Sequence, residues 1–458
     1  MKKNVNEVGF MKVTQYQTAK NFNLRPYVLK PIGGKMGGAE TVMVSENPVN
    51  TDFRGFGVAL TGSSCYNLSL MDEQKRAEFL KDIYSDDGLG LSVARLSVAS
   101  SDYSAELYSY DDTPGDVSLA HFSVERDEEY IIPMIREVLH VRPDLFVFAS
   151  PWSPPGWMKT GGSMCGGCMR EQFIDCYADY LMRFIEEYQQ RGIPVAALTA
   201  QNEPETTQEG KMPACFWHPD IEAQFILALK QKLKKAGRNT KVYMHDHNFS
   251  SWPKVLWQLA EYKELVKECD GVAFHYYSGA AEDIDFVREK YPSLEYHFTE
   301  GGPRLYDHYA TDWCKWGVMI SKALKHGCRT FTGWNLLLDE VGGPNIGPFF
   351  CGGLATLNSQ TGELSYSGQY RAFSHFSKFI KPGAQIFDAH RQQEHAGMFS
   401  FPNMAQSVEL LAAQNPDGAY VLTVSNSGAV KLQLQVERNG NWYYIESLPD
   451  SVSTIVFE

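Results

Sequence analysis

Several things are missing from this chain. No run of apolar residues approaches the roughly 20 that a membrane-spanning helix needs, although 43% of its 458 residues are hydrophobic. Its start, MKKNVNEVGFMKVTQYQ, is basic but lacks the apolar stretch of about 7–15 residues that a secretory signal requires. A soluble, cytoplasmic protein with no transmembrane segment is therefore expected. Basic residues are in deficit: 42 Lys and Arg stand against 55 Asp and Glu, for a net charge of −13. Phosphate backbones need a basic surface, so no nucleic-acid partner is expected. Low-complexity linkers are absent as well. The nine cysteines are scattered and odd in number, which fits free thiols better than a disulfide framework. One pair, Cys165 and Cys168 in MCGGCMR, has the spacing of a metal or redox centre. It lacks the second CxxC or His pair that a zinc site needs. No metal and no cofactor is expected.

What the chain does have is a series of short apolar runs that end in polar residues or glycine. They are GFGVALTGSS, LSVARLSVASSD, LFVFASPWSPP, PVAALTAQNEP, KVYMHDHN, GVAFHYYSG, LEYHFTEGG and RTFTGWNLLLD. Near-continuous apolar character suits parallel strands buried on both faces. The segments between them carry helical periodicity. Phe173, Tyr177, Leu181, Phe184 and Tyr188 fall three or four apart, and Gly192 stands where that helix should stop. Eight strand–helix units predict an α/β fold, a (β/α)8 TIM barrel, over residues 51–379. The ends, 1–50 and 380–458, alternate like antiparallel strands and carry turn signals such as NPDG and ERNGN. They are expected to join as one β-sandwich beside the barrel.

Catalytic groups of such barrels sit at the C-terminal ends of the strands. The fourth run ends in Asn202-Glu203 and the seventh in Thr299-Glu300. Strands four and seven face each other across the mouth. Two carboxyl groups placed so can cleave a glycosidic bond, one protonating the leaving oxygen and the other attacking the anomeric carbon or activating water. A single Glu at a strand end is ordinarily a solvated loop residue; two on this pair of strands point to chemistry. Trp152 and Trp334 offer flat apolar faces to a sugar ring, although core packing would explain either alone. Asp102, Asn202 and His275 can hydrogen-bond hydroxyls. Arg95 leaves the second strand, and a buried arginine needs a carboxylate, for which Glu300 is the natural candidate. In MHDHN, His245 and His247 should share one strand face, with Asp246 on the other. With no third ligand evident, a rim or hydrogen-bonding role is expected of them.

These stretches resemble glycoside hydrolase family 30, within it the glucosylceramidase-like branch. The resemblance runs from about 54 to 380 through RLSVASSDYS, ASPWSPPGWMKTGG, LTAQNEPE, FHYY, TEGG, GWNLLLDEVGGPN and HFSKFI. It implies a retaining enzyme with Glu203 as general acid/base and Glu300 as nucleophile. It also implies that Asp102, Trp152, Asn202 and Trp334 hold a glucose-type unit, that Arg95 and Tyr277 orient the nucleophile, and that His275 lines the pocket. One departure stands out: Gly62 occupies a position where relatives commonly carry an acid. The expected activity is exo-acting β-glucosidase, glucosylceramidase-like, on small β-glucosides. Endo-β-1,6-glucanase or β-xylosidase action is the alternative within the family. A carbohydrate-binding protein without turnover is the alternative outside enzymes.

Overall fold

A computed structural model describes residues 11–392 and 408–458. Residues 1–10 and 393–407 of the expected side domain lie outside the described residues. Eight parallel strands close into a barrel in sequence order: β1 (Gly55–Leu60), β2 (Val93–Val98), β3 (Phe146–Pro151), β4 (Ala197–Thr199), β5 (Lys241–Asn248), β6 (Gly271–His275), β7 (Glu295–Glu300) and β8 (Cys328–Gly333). These are the eight apolar runs read from the sequence. The end of the last run leaves the barrel: Leu337–Asp339 joins Ala355–Leu357 and Leu364–Tyr366 in a separate small sheet.

Among the described residues the chain ends meet in a ten-stranded sheet beside the barrel. Its pairings are antiparallel except for Leu432–Arg438 on Glu40–Val44. Val13, Val42, Leu422, Leu434, Tyr443 and Ile455 form its core. The helix Gly368–Phe376 joins it to the barrel. There His375 is wedged between Thr18 and Thr454, with ring nitrogens 2.7 and 3.0 Å from their hydroxyls. Burial pushes its pKa down to about 3, so this contact is neutral.

The barrel interior is layered. Val93, Phe148, Ala197, Tyr243 and Ala273 pack together inside it. Two residues further along a strand the side chain again points inward. That next layer is polar: Arg95, Ser150, Thr199, His275 and Thr299, all buried. On β5 the alternation would deliver His245, yet Asp246 arrives instead. Pairing with β6 slips here, Ala273 facing His245 and Phe274 facing His247. His245 and Asp246 have φ of 77° and 46°, the left-handed region that non-glycine residues rarely enter. This bulge turns His245 outward, with Nε2 3.1 Å from the Asn248 carbonyl oxygen, and aims Asp246 into the barrel. Of the rim or hydrogen-bonding role expected of Asp246, the second holds and the first is corrected: it is fully buried, with Arg95, Ser150, Thr199, His275 and Thr299 as partners.

Candidate active site

Arg95 is the hub of the polar layer. Its Nη2 donates to Asp246 Oδ2 at 2.8 Å and to Asn202 Oδ1 at 2.9 Å, its Nε donates to Ser150 Oγ at 3.1 Å, and its Nη1 donates to Glu300 Oε2. The guanidinium lies 4.8 Å from the centre of the Trp152 ring. Asp246 also accepts from Thr199 and Thr299, each at 2.7 Å, and from Ser150 at 3.0 Å. Burial alone would raise its pKa, but Arg95 and His275 hold it well below the usual carboxylate range. Asp246 is therefore a fixed negative charge that keeps Arg95 and His275 in place.

Glu300 ends β7 with both oxygens occupied. Oε2 faces Arg95, and Oε1 accepts from Tyr277 Oη at 2.9 Å. Glu203 leaves β4 through a left-handed turn, φ 46°. Its amide donates to the Asp246 carbonyl at 3.0 Å and that of Asn202 to the Pro151 carbonyl at 2.8 Å, while Gln201 Nε2 donates to the Trp152 carbonyl at 2.6 Å. The three polar residues that close the fourth strand thus share one task. Gln201 staples the turn, Asn202 meets Arg95, and Glu203 is lifted into the pocket. Glu203 Oε2 accepts from Gln208 Nε2 at 2.8 Å, and its Oε1 lies 3.2 Å from His275 Nδ1.

His275 Nε2 lies 3.0 Å from Asp246 Oδ1, so the imidazole bridges two carboxylates. Burial opposes its charge, yet Glu300 and Asp246 raise its pKa to about 9. The same contact acts on Glu203: burial pushes upward, but the hydrogen bond and charge of His275 bring its pKa down. A protonated Glu203 is what an acid catalyst requires. His275 lies one hydrogen bond away and is placed to exchange a proton with it.

One cavity of about 300 Å³ is lined by Asp102, Trp152, Asn202, Glu203, Tyr277, Glu300 and Trp334. Every residue expected at the site except Arg95 and His275 reaches it directly, and those two stand behind Glu300 and Glu203. Trp152 and Trp334 stack on each other, centroids 5.2 Å apart at 20°. They therefore pack on each other and line the cavity at the same time. Asp102 Oδ1 is buried without a hydrogen-bond partner among the described residues. Burial, then the charges of Glu300 and Glu203, raise its pKa well above the carboxylate range. Gly62 lies against Tyr103 and Ser104, where a Cβ would meet Ser104 Oγ at 3.1 Å.

His247 lines the cavity, in keeping with the rim role expected of it, whereas the sequence did not reveal Asp246 as the central acid, or Gln208, Arg304 and Phe349 as pocket residues. The MHDHN run was the only signal for Asp246. Glu203, His275 and Glu300 each offer a ligand atom within 4.8 Å of the others, a spacing that could hold a metal ion. Arg95 and protonated His275 already supply positive charge there, which opposes a cation. Cys165 and Cys168, like the other seven cysteines, are free thiols. No helix among the described residues is long and apolar enough to cross a membrane.

Comparison with known proteins identifies the barrel's family. The glycosyl hydrolase family 30 TIM-barrel domain matches residues 53–380. An endo-1,6-β-D-glucanase of Neurospora crassa is 28% identical over 403 residues, 84% of this chain and 80% of the relative. Lysosomal acid glucosylceramidase of Mus musculus is 27% identical over 406 residues, 84% of this chain and 76% of the relative. The crystal structure of SrfJ from Salmonella typhimurium superposes with a TM-score of 0.88 at 25% identity, covering 97% of this chain and 99% of that one.

Proposed function

The chain belongs to glycosyl hydrolase family 30, and from that premise we propose that it is a retaining, exo-acting β-glucosidase of small β-glucosides. One observation carries the retaining part. Carboxylate oxygens of Glu203 and Glu300 lie within 4.8 Å of each other across the cavity. Retention needs carboxyl groups about 5–5.5 Å apart, whereas inversion needs about 6.5–9.5 Å to seat a water between them. The cavity of about 300 Å³ is at the small end of ligand sites, which favours a pocket for a terminal sugar.

In this mechanism Glu300 attacks the anomeric carbon while Tyr277 and Arg95 hold its oxygens. Glu203, receiving its proton from His275, donates it to the departing oxygen as the glycosidic bond breaks. Water then attacks the glycosyl ester on Glu300, with Glu203 as base returning the proton to the pair. Asn202 Oδ1 is tied to Arg95, which leaves its amide to donate to the sugar's 2-hydroxyl.

The test is a screen of nitrophenyl β-glycosides with the product anomer followed by NMR. Nitrophenyl β-glucoside giving β-glucose first is the expected outcome; α-glucose first would sink retention. The Neurospora relative favours a second reading, endo-cleavage of β-1,6-glucan. Release of oligosaccharides from that glucan, with nitrophenyl glucoside untouched, would select it.

A further inference from the structure

Arg304 differs from the other cations around the site. Arg95, Lys254 and Lys315 each face a carboxylate. Arg304 also lines the catalytic cavity, and it is half-buried. Among the described residues its guanidinium has no ion pair and no side-chain hydrogen bond. Its contacts are aromatic: the group lies 5.3 Å from the Tyr277 ring centre and 5.4 Å from that of Phe349. Ring faces stabilise the charge of a guanidinium and leave its N–H edge free. A half-desolvated cation with an open edge toward a ligand cavity is an uncompensated cost, and a ligand oxyanion is what would satisfy it.

The surroundings hold this edge in place. The backbone of Arg304 bridges to Cys351. The Phe349 carbonyl accepts from Tyr103 Oη at 2.9 Å, and Tyr103 Oη in turn accepts from the Cys351 amide at 2.9 Å. Side-chain and backbone anchors thus fix both rings, so little ordering remains for binding to cost. The position is toward the mouth. Arg304 lies four residues beyond Glu300, and its neighbours on the two rim loops, Tyr306 and Phe350, are 74% and 64% exposed. In a pocket for one terminal sugar, whatever projects through the mouth is the leaving group.

We propose that Arg304 recognises an oxyanion, a carboxylate or a phosphate-type group, on the leaving-group part of the substrate. This rests on the β-glucosidase reading only for which part of the substrate meets the residue. A planar guanidinium edge matches either oxyanion bidentately. The site would select charged β-glucosides over neutral ones despite the protein's net charge of −13.

The experiment compares three aryl β-glucosides of one shape: 4-carbamoylphenyl, 4-carboxyphenyl and 4-phosphonophenyl. The expected result is kcat/KM at least tenfold higher for one anionic substrate than for the neutral one, and which anion wins identifies the source. In Arg304→Gln that ratio collapses to within about twofold, whatever the variant's rate on the neutral substrate. Arg304→Lys should keep part of the phosphonate preference and lose more of the carboxylate preference, because an ammonium is a point charge. Equal rates on all three in the wild type, or a ratio unchanged in Arg304→Gln, would overturn the proposal. If no aryl glucoside is turned over, the β-glucosidase reading fails and the anion site is tested without a sugar. Benzoate and phenylphosphonate are then titrated calorimetrically into the wild type and Arg304→Gln. Binding lost in the variant supports the site, and equal or absent binding in both overturns it.

Discussion

Strand β7 carries a glutamate at each end, and the two live in opposite electrostatic worlds. Glu295, at the bottom of the barrel, is surrounded by cations: Arg54 at 2.9 Å, Arg329 at 2.7 Å, and Lys241, with Tyr243 Oη at 3.2 Å. Burial opposes its charge, but His297, Lys241 and Arg54 hold its pKa far below the ordinary range. Glu300, at the top, shares Arg95 with Asp246 and has Glu203 and Asp102 in the same cavity. At the bottom cations outnumber acids, and the carboxylate is locked. At the top acids outnumber cations, and every proton position depends on its neighbours. Surplus counter-charge makes a structural clamp, while scarce counter-charge makes a group able to change partners.

The sharpest way to break this comparison is to remove each glutamate. Glu300→Ala should lower kcat/KM on nitrophenyl β-glucoside by on the order of 10⁵-fold, with no loss of stability in urea denaturation, because the crowd of acids is relieved. A variant retaining more than a hundredth of the activity would exclude Glu300 as nucleophile. Glu203→Ala should lose about 10²–10⁴-fold and regain turnover in azide, which attacks the glycosyl ester without a base. β-Glucosyl azide is the diagnostic product, and an α-azide would remove Glu203 from its role. Glu295→Gln should do the reverse of Glu300→Ala. Arg54 and Lys241 lose their acid while Arg329 keeps Asp52 at 3.0 Å, so unfolding should become easier by about 2–4 kcal/mol, below the full cost of breaking a buried pair because the cations reach solvent. Its kcat/KM should stay within a few-fold of wild type, and a large activity loss with unchanged stability would erase the distinction.

The two ends were also unequally legible in the sequence. All eight strands could be read, because buried parallel strands announce themselves as apolar runs. Glu203 and Glu300 could be read because each stands at the end of such a run. Arg95 was placed beside Glu300 on the argument that a buried cation needs an acid. Asp246 was misplaced, because period-two alternation holds only while the strand is regular, and nothing in MHDHN announces a left-handed bulge at 245 and 246. Arg304 was missed for another reason. Its role depends on two rings, Tyr277 and Phe349, that are distant in sequence and meet only across the barrel mouth. The clamp around Glu295 was invisible too, since Arg54, Lys241 and Arg329 lie outside the chemistry and are far apart in the chain.

The smallest effect tests whether protons at the top are shared as the geometry implies. His275 gains a pKa of about 9 on folding from an ordinary value of 6.5. A group whose pKa is raised by folding stabilises the fold fully below its unfolded value, and that contribution fades as pH rises through the folded one. The wild type should therefore lose stability relative to His275→Gln between about pH 6.5 and 9, with urea denaturation at pH 6, 8 and 10 as the measurement. The alkaline limb of kcat/KM should follow the same proton. In the wild type His275 keeps it until about pH 9; in His275→Gln, Glu203 must hold it without that neighbour, and the limb should move to lower pH. Asp246 stays charged throughout, so it moves neither curve. A limb that stays in place in His275→Gln would mean that Glu203 keeps its own proton, and the top of the barrel would then be as locked as the bottom.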